Sequence, residues 1–300
     1  MDVVISGSSG LIGTALREAL TEAGHRPVGL VRRTAKGADE IAWDIDAGVI
    51  DTASLEGIDA VVNLAGASIG GRRWNDDYKR KLVSSRTRGT TLLATTLASL
   101  DKPPSRLLSG SAIGYYGDRA DEVLTESSPA GDGFLPDLCR QWEAATEPAS
   151  EAGIATALLR TGLVMTARGG ILTRMLPLFK LGLGGRLGSG RQYMAWITLA
   201  DEVGAILHLL DHPEVTGPVN LTAPRPVTNS RFTEALGEAV GRPTLLPVPA
   251  FGPKLLLGPE MADALLFDSA RVEPSVLETS GYPFHHVEVD EGLRAALADA

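Results

Sequence analysis

Val3-Val4-Ile5-Ser6-Gly7-Ser8-Ser9-Gly10-Leu11-Ile12-Gly13 is the stretch whose reading decides the fold. A short apolar run, the pattern of a buried strand, feeds three glycines spaced Gly-x-x-Gly-x-x-Gly, and a helical pattern runs on from Leu11 to Ala23. Glycine accepts positive φ and puts no Cβ between backbone N–H groups and an approaching ligand. A helix N-terminus adds unpaired N–H donors and a partial positive charge, so a strand–turn–helix of this kind suits a pyrophosphate. Gly13 would let the helix pack closely on the sheet. The expected contacts are Gly7, Ser9, Gly10, Leu11, Ile12 and Gly13, in the context that a dinucleotide turn requires.

A NAD site usually carries an acid about 20 residues further on, against the ribose 2′-hydroxyl. This chain reads Leu30-Val31-Arg32-Arg33 there, with no acid until Asp39. Two guanidinium groups suit a 2′-phosphate, so NADP is expected rather than NAD; the plainer alternative is two solvated arginines on a loop. Asp44 could accept from an adenine amino group or sit on a solvated turn. Asn63-Leu64-Ala65-Gly66 closes what reads as the fourth buried strand, and its small residues would let a cofactor ribose approach at Leu64, Ala65 and Gly66.

Working outward, strand patterns at Pro27 to Val31, Ile58 to Leu64, Arg106 to Ser109 and Ala155 to Leu159 alternate with helical ones at Asp76 to Leu100 and Leu135 to Ala152. This alternation predicts an α/β fold with a parallel sheet covered by helices on both faces. From about Gly162 the pattern loosens: Gly182 to Gly185 and Gly188 to Gly190 are loops lining a site or simply tight turns. A helix is expected over Ser230 to Val240, then a linker marked by Pro243, Pro247, Pro249 and Pro253.

A net charge of −9 with no long basic block speaks against a nucleic-acid partner. One cysteine, Cys139, excludes an intrachain disulfide and a multi-cysteine metal site. The N-terminus lacks a basic region before its apolar run and reads as a strand rather than a signal peptide. No stretch reaches the roughly 18 apolar residues of a membrane span. A cytoplasmic protein without a membrane partner is therefore expected. The histidines show no metal-ligand spacing; His285 and His286 read as structural, and no metal is expected.

The glycine turn, Asn63-Leu64-Ala65-Gly66 and Ser109-Gly110-Ser111-Ala112 together resemble the short-chain dehydrogenase/reductase superfamily, in its extended, sugar-nucleotide-epimerase-related branch. Gly182-Leu183-Gly184-Gly185, Gly188 to Gln192, Trp196-Ile197-Thr198 with Asp201, Ala223 to Asn229 and Ser269-x-Arg271-Val272-x-Pro274 are similar to one atypical family of that branch, which ends in its own C-terminal domain of unknown function. The resemblance spans essentially the whole chain. It implies a Rossmann-like, doubly wound parallel sheet with a smaller C-terminal substrate-facing domain: residues 1–161 for NADP, with some later segments returning to them, and 162–300 for the substrate and family-specific part. It also allows a homodimer built on sheet-flanking helices. Lys81 and Arg86 match positions that approach the cofactor, although both could equally form a solvated helix face. Arg86 precedes Gly89-Thr90, where the wider superfamily has a structural asparagine.

Extended members work with a serine, a tyrosine base and a lysine four residues later, whose charge lowers the tyrosine pKa. Ser111 matches the serine. Counting back four residues from Glu143 puts Cys139 at the lysine position and Leu135 at the tyrosine position, and no Tyr-x-x-x-Lys occurs anywhere. Tyr115 or Tyr116 could supply a proton from another direction or serve in packing. Arg160 could bind an anionic group of ligand or substrate, or pair with an acid, and Cys139 reads as a buried apolar residue. Two functions stay open: an NADP-dependent oxidoreductase or epimerase-like enzyme on a small polar or nucleotide-linked substrate, with Ser111 and Tyr116 as candidate catalytic residues and Trp196-Ile197 helping to form the pocket; or an NADP-sensing or regulatory protein with decayed catalysis, for example in cell division.

Overall fold

The computed structural model describes residues 1–298. Strand β1 (Asp2–Ser6) leads through the glycine turn into α1 (Leu11–Glu22), and β2 (Arg26–Val31), β3 (Glu40–Asp44), β4 (Val49–Ile50) and β5 (Ala60–Asn63) follow. Then come α2 (Asp76–Ala98), β6 (Arg106–Ala112), β7 (Val123–Leu124), α3 (Phe134–Ala144), α4 (Glu147–Glu151), β8 (Ala155–Thr161), β9 (Leu163–Met165) and α5 (Gly170–Lys180). The rest comprises β10 (Tyr193–Met194), β11 (Trp196–Thr198), α6 (Leu199–Asp211), β12 (Gly217–Leu221), β13 (Val227–Thr228) and α7 (Asn229–Ala239). It closes with α8 (Phe251–Leu257), α9 (Pro259–Ala262), β14 (Arg271–Val272), α10 (Ser275–Thr279) and α11 (Val289–Ala298).

The main sheet runs β12-β8-β6-β5-β1-β2-β3-β4, parallel throughout except for the last pair. Its strands alternate sides: Val3 and Ile5 join Val62 and Leu108 in a core with Leu16 of α1 and Ile206 of α6. Val4 and Val61 face the other way, onto Leu93 and Leu97 of α2. Burying both faces explains the unbroken apolar strand patterns. The short antiparallel β4 makes β5, not a fourth strand, the one that Asn63 closes.

The helix expected over Leu135 to Ala152 is two helices. Pro148 has no N–H to continue the first ladder and fits the opening turn of α4. The later half does not stand apart from the first: β12 is the far edge of the main sheet, while α5, α7 and α11 gather their own core around Trp196, Phe232 and Leu293. Asp201 of α6 ties in the C-terminal segment, accepting from the backbone N–H groups of His285 at 2.8 Å and His286 at 3.0 Å and from the Tyr282 hydroxyl at 3.1 Å. Among the described residues, no helix is long and apolar enough to cross a membrane.

Candidate functional site

The chain leaves β1 for one flank of the sheet and β5 for the other, so a crevice opens at their carboxyl ends, where open α/β sheets bind ligands. The glycine turn sits in that crevice. Gly7 has φ +69°, and a Cβ on it would lie 2.9 Å from the Leu64 carbonyl carbon. A Cβ at Gly13 would collide with the Gly7 carbonyl oxygen. Backbone therefore meets backbone at both positions, and only glycine fits. Helix α1 opens on Gly10 with no side-chain cap and no acid in its first turn, which leaves its N–H groups and dipole to an anion.

A row of polar side chains fixes the crevice floor. Ser6 pairs in register with Asn63, and Asn63 with Ser109. The Ser6 hydroxyl donates to Asn63 Oδ1 at 2.6 Å and accepts from the Ala65 N–H at 3.1 Å. Asn63 Nδ2 donates to the hydroxyls of Thr90 (2.9 Å) and Ser109 (3.2 Å), and Trp142 Nε1 also donates to Thr90. Thr90 thus joins α2 to β5 and to α3.

The two arginines after β2 part company. Arg33 is held by Glu40, with nitrogens 2.7 and 2.5 Å from its oxygens. With help from the Lys36 N–H, this pairing holds the Glu40 carboxyl down to about 2. Arg32 is exposed and, among the described residues, has no acid within ion-pair distance. Asp44 spends Oδ1 on its own turn, accepting from the N–H groups of Asp46 and Ala47. Lys81 is exposed on α2. Arg86 reaches under the Gly66 loop, donating to the Ala67 carbonyl at 3.0 Å, and burial lowers its pKa.

At the substrate end, Ser111 donates to Glu143 Oε1 at 2.6 Å, and Glu143 forms a two-pronged pair with Arg160 at 2.8 and 2.9 Å. The Arg160 guanidinium lies 3.5 Å from the centroid of the Tyr115 ring and donates to the Tyr116 hydroxyl. Of the two alternatives for Arg160, the structure shows the pairing with an acid: the side chain is buried and its nitrogens are engaged by Glu143, the Tyr116 hydroxyl and the Glu126 carbonyl. The expectation for Tyr116 is corrected. Tyr116 is wholly buried; its hydroxyl donates to Asn220 and accepts from Arg160, and burial pushes its pKa up to about 12, so it has no face from which to serve as a proton donor. Leu135 packs on Gly114, and the buried Cys139 thiol, also pushed up to about 12 by burial, is inert. Trp196 and Ile197 are core residues rather than pocket wall, the Trp196 ring seated against Gly292 of α11. Gly182, Gly188 and Gly190, all at positive φ, form tight turns, and the Gly188 N–H donates to Val248.

A parallel sheet with an uncapped glycine turn at its switch point defines a dinucleotide-binding α/β protein. Residues 3–221 match the NAD dependent epimerase/dehydratase family and residues 248–296 a domain of unknown function, DUF1731. The chain is 47% identical to the epimerase family protein Mb2239 of Mycobacterium bovis, over 97% of this chain and 96% of that one. It is 35% identical to the chloroplastic SDR39U1 homologue of Arabidopsis thaliana, over 99% and 87%. The crystal structure of human SDR39U1 with NADPH superposes with a TM-score of 0.92 at 31% identity, covering 100% of both chains. The chain belongs to the NAD dependent epimerase/dehydratase family.

Proposed function

We propose that the protein is an NADP(H)-dependent cytoplasmic enzyme, an oxidoreductase or epimerase-like, acting on a small polar or nucleotide-linked substrate. One observation carries the reading: a helix N-terminus left open by glycines that admit no Cβ, with Arg32, unpaired among the described residues, just past the end of the neighbouring strand. The dinucleotide fits these residues. Gly7 to Gly13 would hold its pyrophosphate, Leu64 to Gly66 its ribose and Arg32 its 2′-phosphate, and the human relative crystallised with NADPH supports the choice. Bound there, the nicotinamide would exchange a hydride with the substrate. Residues 1–161 would serve the cofactor and 162–300 the substrate side.

Proton handling falls to Ser111. Its hydroxyl donates to Glu143 when no substrate is near. Turned toward the crevice it would donate that proton to a substrate carbonyl, or accept one from a substrate hydroxyl in the reverse direction, while Arg160 keeps the Glu143 carboxylate in place behind it. A second reading, a protein that binds NADP(H) without turnover as a sensor or regulator, is favoured by Leu135 and Cys139 at the tyrosine and lysine positions and by the enclosure of Tyr116.

Two measurements test these readings. Arg32→Ala is expected to weaken NADPH binding about tenfold, about 1.4 kcal/mol, while NADH changes less than about twofold; equal losses for both cofactors would remove the 2′-phosphate assignment. In single-turnover assays of NADPH against a panel of carbonyl compounds, Ser111→Ala is expected to slow oxidation of the nicotinamide about 100-fold. A wild-type chain that binds NADPH yet oxidises it with no member of the panel would favour the sensor.

A further inference from the structure

The segment from Gly66 to Trp74 carries no helix or strand, yet four consecutive carbonyls in it are each held by a different side chain. Arg86 donates to Ala67 at 3.0 Å, Tyr78 to Ser68 at 2.6 Å, Trp74 to Ile69 at 3.0 Å, and both terminal nitrogens of Arg174 to Gly70 at 3.2 Å. These donors come from α2, the loop itself and α5. Loops are ordinarily the mobile parts of a fold. Fixing four peptide groups in a row presents whatever stands at the tip in one place.

That tip is Arg72-Arg73. Both are exposed, and no acid lies within ion-pair distance of either among the described residues. The chain carries a net charge of −9 and pairs many of its surface arginines with acids, as in Arg88–Asp46 and Arg140–Asp137. Among the described residues single exposed ones such as Arg32 and Arg191 also stand without an acid, but here two stand side by side. The acids that follow directly, Asp76 and Asp77, occupy the first turn of α2, where the helix dipole favours them, and Asp77 is held by Arg80. Glu260, on the neighbouring α9, is held by Lys79. Gly258 makes room for Arg73: a Cβ there would stand 2.9 Å from its Nε.

The loop that carries the tip borders the crevice at its start. The segment starts where Leu64 and Ala65 abut Gly7, and ends where the Trp74 ring packs edge-on to Phe134, 5.0 Å between centroids, one residue before Leu135. Helix α5, which supplies Arg174, rests at Gly169 on the side chain of Leu11, 3.1 Å from where a Cβ would sit. Turn, loop and α5 therefore touch one another in succession, beside the cofactor crevice.

We propose that Arg72 and Arg73 form an anion-recognition site for the phosphate or carboxylate of the substrate, with Arg174 as a positioning residue that sets the loop through the Gly70 carbonyl. The proposal deepens the function given above and rests on it. Guanidinium groups bind both anions through paired, charge-assisted hydrogen bonds.

The test is calorimetric titration of inorganic pyrophosphate and of citrate, as phosphate and carboxylate probes, into the full chain with and without saturating NADPH. With NADPH present, one probe is expected to bind the wild type, and the Arg72→Ala/Arg73→Ala variant to bind it at least tenfold more weakly, with NADPH affinity within twofold of wild type. The stronger probe names the substrate's anion. Failure of both probes on the NADPH-loaded wild type, or equal binding by the double variant, overturns the proposal. A wild type that does not take up NADPH at all overturns the cofactor reading instead; the anion component lost in the double variant without NADPH then still reports on this site alone.

Discussion

Replacing Arg160 with alanine is expected to lower the stability of the folded chain by about 3–5 kcal/mol, the usual result of removing one partner from a buried ion pair. Its side chain is 4% exposed and that of Glu143 10%. The variant would leave the Glu143 carboxylate in a poorly solvated space with only the Ser111 hydroxyl as partner. It would also strip the cation from the face of Tyr115, and one hydrogen bond each from the Tyr116 hydroxyl and the Glu126 carbonyl. The large figure reflects the stranded charge rather than the value of the pair, since a pair replaced whole by apolar groups often costs little. Arg160→Met combined with Glu143→Leu is therefore expected to recover part of the loss. Urea unfolding of the wild type, the single and the double variant measures both numbers. A single variant within about 1 kcal/mol of wild type would mean that water reaches Glu143 and that the network is not the dry support of Ser111 described above.

Local patterns in this chain were readable before the structure, and contacts made by topology were not. The glycine turn announces itself within eleven residues, because strand, turn and helix there are neighbours in sequence. The long apolar strand patterns follow from a sheet buried on both faces. Glu143 was visible only as a marker for counting back to Leu135 and Cys139; its partner Arg160 lies on another element, and nothing in either local pattern joins them. Tyr116 looked like a proton donor because it follows Ser111 closely, but its hydroxyl meets Asn220, 104 positions away on the edge strand. The bonds from Arg174 to the Gly70 carbonyl span the same interval. Arg32 and Arg33 read as equivalent until β3 brought Glu40 beside one of them. Pro148 is a local signal for the break between α3 and α4, but the apolar pattern runs through it and masks the break. Two-residue strands such as β4 are too short to show any periodicity.

Glu202 is expected to give the opposite kind of effect: Glu202→Gln should stabilise the protein at neutral pH by about 3 kcal/mol, and by less than about 1 kcal/mol at pH 5. The carboxyl, in the first turn of α6, is wholly buried. Its one hydrogen bond is from the Thr161 hydroxyl to Oε1, at 2.8 Å; Oε2 has no partner, and no cation lies within ion-pair distance among the described residues. Burial pushes its pKa up to about 8 from an ordinary 4.5. Between those values the folded chain keeps a proton that the unfolded chain has released, so protons bind more to the folded state and stability falls as pH rises. Each unit of pH in that window costs about 1.4 kcal/mol, and the loss levels off once the folded form has also ionised. Glutamine is neutral at every pH, has nearly the same shape, and keeps an oxygen for Thr161. The difference in unfolding free energy between variant and wild type should therefore be small at pH 5, grow through pH 6 and 7, and flatten above pH 8. A difference that stays constant over this range would show that Glu202 is ionised in the fold throughout, with a counter-charge or water supplying what Oε2 lacks.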